Sequence, residues 1–339
     1  MRAGVFHGPA NGIVIEDLPD PTPRERELVI KVERSGICGT DLHLTDGKGF
    51  LQAPPGIVLG HEFAGEVVAV GREVERFKTG DRITSLAAIA ACGTCPECRS
   101  GDLQWCTGST KLFPVSGGYA QYAPVAEPQA IGLPHSLSLA DAALVEPLAV
   151  GWHGYRIAEV KPGASVLVLG AGPIGLGVVF WARCMGARKI VVQARSRRRE
   201  QQALAMGADA FITTTDALEV AHEALGAAPD VVFEAVGTPG SIERAMQIVQ
   251  PRGTVVVLGW CGVADSYTPA LYLMKEVRLQ FSMTYSVADF EHTARALDEG
   301  GTGPRSMVTN TIGLDELPSM FEGLRAANHE CKVLIDPWR

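Results

Sequence analysis

The chain has 339 residues, 46% of them hydrophobic, and 38 acidic against 30 basic side chains leave a formal charge of −8. That length exceeds a single small core and predicts two domains, while the acidic balance excludes nucleic acid or an anionic membrane as the main partner. After Arg2 the amino-terminal stretch has no continuous apolar run, so a cytoplasmic protein without a signal peptide is expected.

Residues 1–145 carry short apolar runs broken by Gly, Pro and Asp, among them "LVIKVERSGI", "FAGEVVAVG" and "GDRITSLAAI". Such spacing predicts an all-β barrel with irregular connections. Two stretches in it hold metal-binding side-chain types: "GICGTDLH" supplies Cys38, and "GHEFAGEVVAVG" supplies His61 and Glu62. Thiolate, imidazole and carboxylate together suit a catalytic zinc with an open position. Taken alone, one cysteine and one His-Glu pair describe a packed core equally well.

Four of the eight cysteines follow within a lobe at about 90–108, as Cys92-x-x-Cys95-x-x-Cys98-x7-Cys106. With no secretion signal, metal binding is expected over disulfides. Four thiolates at these spacings can enclose one tetrahedral Zn²⁺ and leave no open position, which predicts a structural site.

From 146 to 285 apolar strands alternate with helical segments, the pattern of a doubly wound parallel sheet. The segment 162–182 is uncharged over a bilayer's length. It contains Pro173 and turns from strand to helix midway, so it reads as a buried strand–turn–helix and not a membrane span. "SVLVLGAGPIG" runs a strand into Gly170-x-Gly172-Pro173-Ile174-Gly175 and then a helix. In that context the glycines read as a dinucleotide turn, with pyrophosphate at the helix N-terminus.

The second strand of this region ends "KIVVQARSRRRE". An NAD site expects Asp or Glu there, about 20 residues after the glycines. Here the strand ends Gln193-Ala194-Arg195-Ser196, followed closely by Arg199. Arg195 and Arg199 can pair with a 2′-phosphate, and two charge-assisted contacts at roughly 1.5–3 kcal/mol each favour NADP(H) over NAD(H) by about two to four powers of ten. Arg197 and Arg198 read as solvated. "VRLQFSMTYS", 277–286, is an apolar edge strand open to pairing with a second copy. Residues 286–339 are expected to return to the first domain and close with the strand "KVLIDP".

These stretches, in this order and over nearly the whole chain, resemble the zinc-dependent medium-chain dehydrogenase/reductase family, in the branch of sorbitol (polyol) and threonine dehydrogenases. G-H-E-x-x-G-x-x-x-x-x-G is its most specific signature here. The resemblance implies a GroES-like β-barrel catalytic domain joined to a Rossmann domain. It also implies two Zn²⁺ per chain, one catalytic and one structural.

Carried over residue by residue, it makes Cys38 and His61 ligands of the catalytic zinc and Glu62 either a ligand or its supporting carboxylate. Glu146, in "LVEPLAVGWHGYR", stands where the polyol branch has a glutamate that binds zinc or its water. Asp41 matches the acid that orients the histidine, and Thr40 and His43 match the proton relay. The implied reaction is hydride transfer between an alcohol or polyol, or the matching ketone, and a nicotinamide cofactor. The implied assembly is a homodimer or homotetramer. Leu44, Phe50, Phe113 and Trp260 are candidate pocket walls. A zinc hydrolase would leave the glycine turn and the arginines without a purpose. The same motifs are also compatible with a non-catalytic NADPH-binding sensor or an NAD-preferring polyol dehydrogenase.

Replacing Ala194 by Asp together with Arg195→Leu is expected to move the NADP/NAD ratio of kcat/KM toward NAD by about tenfold or more, read from steady-state rates with both cofactors.

Overall fold

The ten-residue strand Glu27–Gly36 organises the amino-terminal sheet. In chain order the strands there are β1 (Arg2–Phe6), β2 (Ile13–Asp17), β3 (Glu27–Gly36), β4 (Ile57–Val58), β5 (Glu62–Val70), β6 (Arg82–Ser85), β7 (Tyr122–Ala126) and β8 (Ala130–Gly132). The parallel strands β9 (Ser165–Leu169), β10 (Lys189–Ala194), β11 (Ala210–Thr213), β12 (Val231–Glu234), β13 (Thr254–Val257) and β14 (Arg278–Phe281) follow. β15 (Val308–Gly313) and β16 (Lys332–Asp336) close the chain. The structure, a computed structural model, describes residues 1–49, 51–86, 91–108, 117–213, 218–300, 303–326 and 328–339. It divides into two units: Met1–Glu146 with Tyr285–Gly301 and Val308–Arg339, and Pro147–Thr284 with Thr302–Met307.

In the first unit the sheet order is β15-β16-β3-β5-β6-β8, with β7 also on β3 and a separate set β2-β1-β4. Every pairing is antiparallel except β15 with β16. Leu28, Ile30 and Val32 of β3 are buried and pack with Phe63, Val67, Ile83, Ala123 and Val125. Alternation along β3 thus builds the core from one face of the strand. At its carboxyl end β3 pairs Gly36 with Glu62 at the start of β5, which brings Cys38, His61 and Glu62 to one end of these two central strands. The return strand β16 pairs with β3 through Gly36 and Ser35 and adds Lys332 to the same unit. Within the closing stretch, the 3₁₀ turn Gly303–Met307 groups instead with the second unit, and a side chain at Gly303 would lie 3.1 Å from the Ala205 carbonyl.

The second unit holds one parallel sheet in the order β11-β10-β9-β12-β13-β14, the doubly wound arrangement expected of the Rossmann region. β9, β12 and β13 are buried along their whole length, as strands covered on both faces are. The chain reverses direction across the sheet between β9 and β12, so the crevice at their carboxyl ends is the expected ligand position. The stretch read as strand–turn–helix is β9 followed by the helix Pro173–Cys184. No helix among the described residues is long and apolar enough to cross a membrane.

The helix Pro173–Cys184 is held against the helix Val145–Ile157 at two glycines. A side chain at Gly151 would stand 3.0 Å from the backbone of Gly177, and Trp181 Nε1 donates to the Leu148 carbonyl at 2.8 Å. Gly151→Val is therefore expected to lower stability by about 1–3 kcal/mol through overpacking, measured as a fall in the urea midpoint.

Candidate functional site

Local chain geometry sets the first group. Cys38 caps the six-residue helix Gly39–Leu44: its thiol accepts from Thr40 N–H at 3.5 Å, while Asp41 Oδ2 accepts from Cys38 N–H at 3.2 Å. This reciprocal cap fixes Asp41 beneath Cys38. Asp41 Oδ1 lies 3.2 Å from His61 Nδ1, and both atoms are buried with no aligned hydrogen bond of their own. The Tyr119 hydroxyl donates to Asp41 Oδ2 at 2.6 Å. Beside Asp41⁻ and the Cys38 thiol, His61 is held well above its ordinary range despite the opposing effect of burial.

The ligand atoms of Cys38, His61 and Glu62 lie within 4.8 Å of one another. His61 and Glu62 are buried, Glu62 fully. The Glu62 carboxylate is gripped by the Lys332 ammonium, at 2.6 Å to Oε1 and 2.5 Å to Oε2, and Lys332 also donates to the Ile37 carbonyl at 3.1 Å. Lys332 is 1% exposed. Glu62, whether ligand or supporting carboxylate, thus has a counter-charge that its own stretch of sequence does not reveal.

Glu146 is buried in the first turn of its helix and stands outside the 4.8 Å trio. Burial pushes its carboxyl up to about 7; His61 and Lys332 oppose that shift and the Glu62 charge adds to it. Tyr285 is a further hydrogen-bonding neighbour of Glu146. Thr40 is half-buried and His43 is exposed at the end of the short helix.

The trio fits a divalent metal by donor chemistry: one soft thiolate, one imidazole and one carboxylate, with the imidazole's Nδ1 turned to a carboxylate. The cysteine lobe fits one too. The four thiols of Cys92, Cys95, Cys98 and Cys106 lie within 4.8 Å of one another. Cys92 and Cys98 sulfurs are 4.0 Å apart and Cys95 and Cys106 sulfurs 3.9 Å. A tetrahedron with Zn–S of about 2.3 Å has an edge of about 3.8 Å. The Cys92 thiol is lowered to about 5, chiefly by the backbone N–H and hydroxyl of Thr94. Burial and the neighbouring Cys95 thiol push Cys98 up to about 12.

In the second unit Gly170 has φ +102°, a left-handed conformation that favours glycine, and Gly172 caps the helix begun by Pro173 and Ile174. A side chain at Gly175 would collide with the Gly170 carbonyl at 2.1 Å, whereas one at Gly172 would meet only Arg199 Nη1 at 3.9 Å. The space over the turn is thus open to a ligand, with a guanidinium at its side. Arg199 Nη1 donates to the Ala171 carbonyl at 3.3 Å. Arg195 and Ser196 are exposed just past β10, and Arg197 pairs with Glu200 at 2.6 Å. The sequence at the end of β10, Gln193-Ala194-Arg195-Ser196, carries no carboxylate.

Three partners escaped sequence reasoning: Lys332, Tyr119 and Tyr285. Only pairing across distant segments reveals them. One expectation is corrected. Leu44 is not a pocket wall but a 4%-exposed member of the core with Phe6, Leu59 and Phe321, because it lies on the inner side of its short helix. Trp260 is half-buried. Phe50 and Phe113 lie outside the described residues.

Residues 24–135 match the model of the alcohol dehydrogenase GroES-like domain, and residues 173–299 match that of zinc-binding dehydrogenases. The chain is 32% identical to sorbitol dehydrogenase of Bacillus subtilis, over 100% of this chain and 98% of the relative. It is 35% identical to L-threonine 3-dehydrogenase of Saccharopolyspora erythraea, over 99% of each. A zinc-binding dehydrogenase structure from Sinorhizobium meliloti 1021, bound to NADP, superposes with a TM-score of 0.90 at 32% identity over 99% of each chain. A structure of 2R,3R-butanediol dehydrogenase from Bacillus subtilis superposes at 0.87, with 29% identity over 99% of each.

A side chain at Gly36 would fall 2.0 Å from Glu62 Oε2, whereas at Gly39 it would meet nothing within 4 Å. Gly36→Ala is expected to push Glu62 off Lys332 and cost about 3–5 kcal/mol. Gly39→Ala should stay within about 1 kcal/mol of the parent, both read from chemical denaturation.

Proposed function

This chain belongs to the zinc-dependent alcohol and polyol dehydrogenase family of oxidoreductases, and we propose that it moves hydride between a secondary alcohol or polyol and NADP, and back from the ketone. The observation that carries this reading is the convergence of Cys38, His61 and Glu62 within 4.8 Å, on a chain that also presents a glycine turn ahead of a helix. Cys38 and His61 would hold the catalytic zinc, with Glu62 and Glu146 as the carboxylates at hand. Cys92, Cys95, Cys98 and Cys106 would hold a second, structural one.

When bound, zinc supplies Lewis acidity toward an alcohol or carbonyl oxygen and the dinucleotide supplies the hydride chemistry. The remaining work falls to the protein. Asp41 keeps the His61 ring turned with Nδ1 inward. Thr40 and His43 carry the alcohol proton outward, and the exposure of His43 suits the solvent end of that relay. Gly170, Gly172 and Gly175 admit the pyrophosphate to the helix N-terminus. Arg195, Ser196 and Arg199 grip the 2′-phosphate, in keeping with the NADP bound by the Sinorhizobium relative.

A homodimer or homotetramer completes the reading. β14 is an edge strand, Phe281 on it is 62% exposed, and Leu273 and Met274 in the segment before it are 77% and 74% exposed. An uncovered apolar edge of that kind pairs readily with a second copy.

Turnover of NADP and NADPH across a panel of secondary alcohols, polyols and ketones, with metal content assayed on the same sample, tests the proposal. The expected result is NADP(H)-dependent activity with about two zinc per chain, lost on chelation and restored by zinc. Full activity in a metal-stripped sample would overturn it.

A further inference from the structure

Tyr119 is a fully buried tyrosine bonded to a carboxylate of the metal site: it is 0% exposed, and its hydroxyl donates to Asp41 Oδ2 at 2.6 Å. Its backbone is pinned on both sides, with Gly4 N–H donating to the Tyr119 carbonyl at 2.8 Å and Tyr119 N–H to the Leu59 carbonyl at 3.0 Å. Its ring is fixed as well. Phe321 meets it edge-on with centroids 6.4 Å apart. A side chain on Gly60 would lie 2.4 Å from Tyr119 Cδ1, so the ring occupies the space directly over the residue before His61.

Asp41 has two carboxylate oxygens and three neighbours to serve. Oδ2 takes Cys38 N–H at 3.2 Å and the Tyr119 hydroxyl at 2.6 Å, and Oδ1 is left facing His61 Nδ1 at 3.2 Å. A short O–H to carboxylate bond is the stronger of the two holding Oδ2 in place. Without it the carboxylate has one long backbone contact against rotation about its own axis. The His61 ring would lose its fixed partner with it.

We infer that Tyr119 is a positioning residue for the metal centre: through Asp41 Oδ2 and the ring packed over Gly60 it sets the orientation of His61. The inference rests on the reading of Cys38 and His61 as metal ligands. Groups that orient a ligating histidine change metal affinity by about 10–100-fold when removed, and Tyr119 acts one bond further out through the same carboxylate.

The test uses the zinc-loaded full chain. Release of each zinc equivalent to a chromogenic chelator is followed for the parent, Tyr119→Phe and Cys38→Ser, and denaturant midpoints are taken on metal-stripped samples. Cys38→Ser identifies which equivalent belongs to this cluster. Tyr119→Phe, which keeps the ring, is expected to release that equivalent about tenfold faster or more, to leave the other equivalent unchanged, and to shift the absorption of the cobalt-substituted centre. In an Asp41→Asn background the same change should add nothing.

Parent-like release and an unshifted cobalt spectrum in Tyr119→Phe overturn the inference while leaving the metal site itself intact. So does a lowered midpoint or loss of folding in Tyr119→Phe with no change in zinc release, which assigns the hydroxyl to the fold alone. Parent-like release from Cys38→Ser removes the metal from this cluster, and the functional reading falls together with the role of Tyr119.

Discussion

Burial of like charge is the constraint from which the first unit's site is built. Asp41, Glu62 and Glu146 are three carboxylates at 0–6% exposure in one unit. Ionised carboxylates at such depth cost several kcal/mol each unless they are paired and hydrogen-bonded. Lys332 answers Glu62 with two short contacts, and His61 with Tyr119 answers Asp41. Glu146 has the least complete answer of the three, which is why its carboxyl rises to about 7. A divalent cation beside Cys38 and His61 would supply the positive charge that this arrangement still lacks.

Glycine placement follows from that crowding. Gly36 leaves the room that the Glu62 carboxylate occupies, and Gly60 leaves the room that the Tyr119 ring occupies. The two positions flank the residues that carry chemistry, so shape is made by what is missing beside them. In the second unit the same device leaves room for a ligand: a side chain at Gly172 would meet Arg199 Nη1 at 3.9 Å, while Gly175 packs the helix on the Gly170 carbonyl. One glycine spaces a side chain from a backbone, the other spaces a backbone from a visitor.

The two cysteine-bearing sites differ in what holds them. The lobe at Cys92–Cys106 draws its order from N–H to sulfur contacts inside a short loop, with Cys92 and Cys95 accepting bonds from near neighbours. The Cys38 centre draws its order from distant segments meeting at the ends of the central strands β16, β3 and β5. The first is closed by contacts between near neighbours, and the second depends on the long-range pairing of the sheet in its unit. A polar cluster assembled that way is sensitive to each strand that delivers a member.

Much of this protein was legible in residue order. Short apolar runs broken by Gly, Pro and Asp announced β3 and β5. The stretch SVLVLGAGPIG announced a strand, a turn and a helix, because periodicity and glycine placement are local properties. The cysteine spacing announced a close group of four sulfurs for the same reason, and the four lie within 4.8 Å of one another. Lys332 was not legible, since a lysine opening an apolar strand reads as one that reaches to solvent, and only the pairing of β16 with β3 encloses it. Leu44 misled because side-chain type does not say which side of a short helix faces inward. Residue order alone determined the strand and helix stretches it marked, the cysteine cluster and the turn, whose causes act within a dozen or so neighbours. The tertiary structure alone decided which carboxylate meets which cation, because those partners are up to 270 residues apart and only strand register brings them within bonding distance.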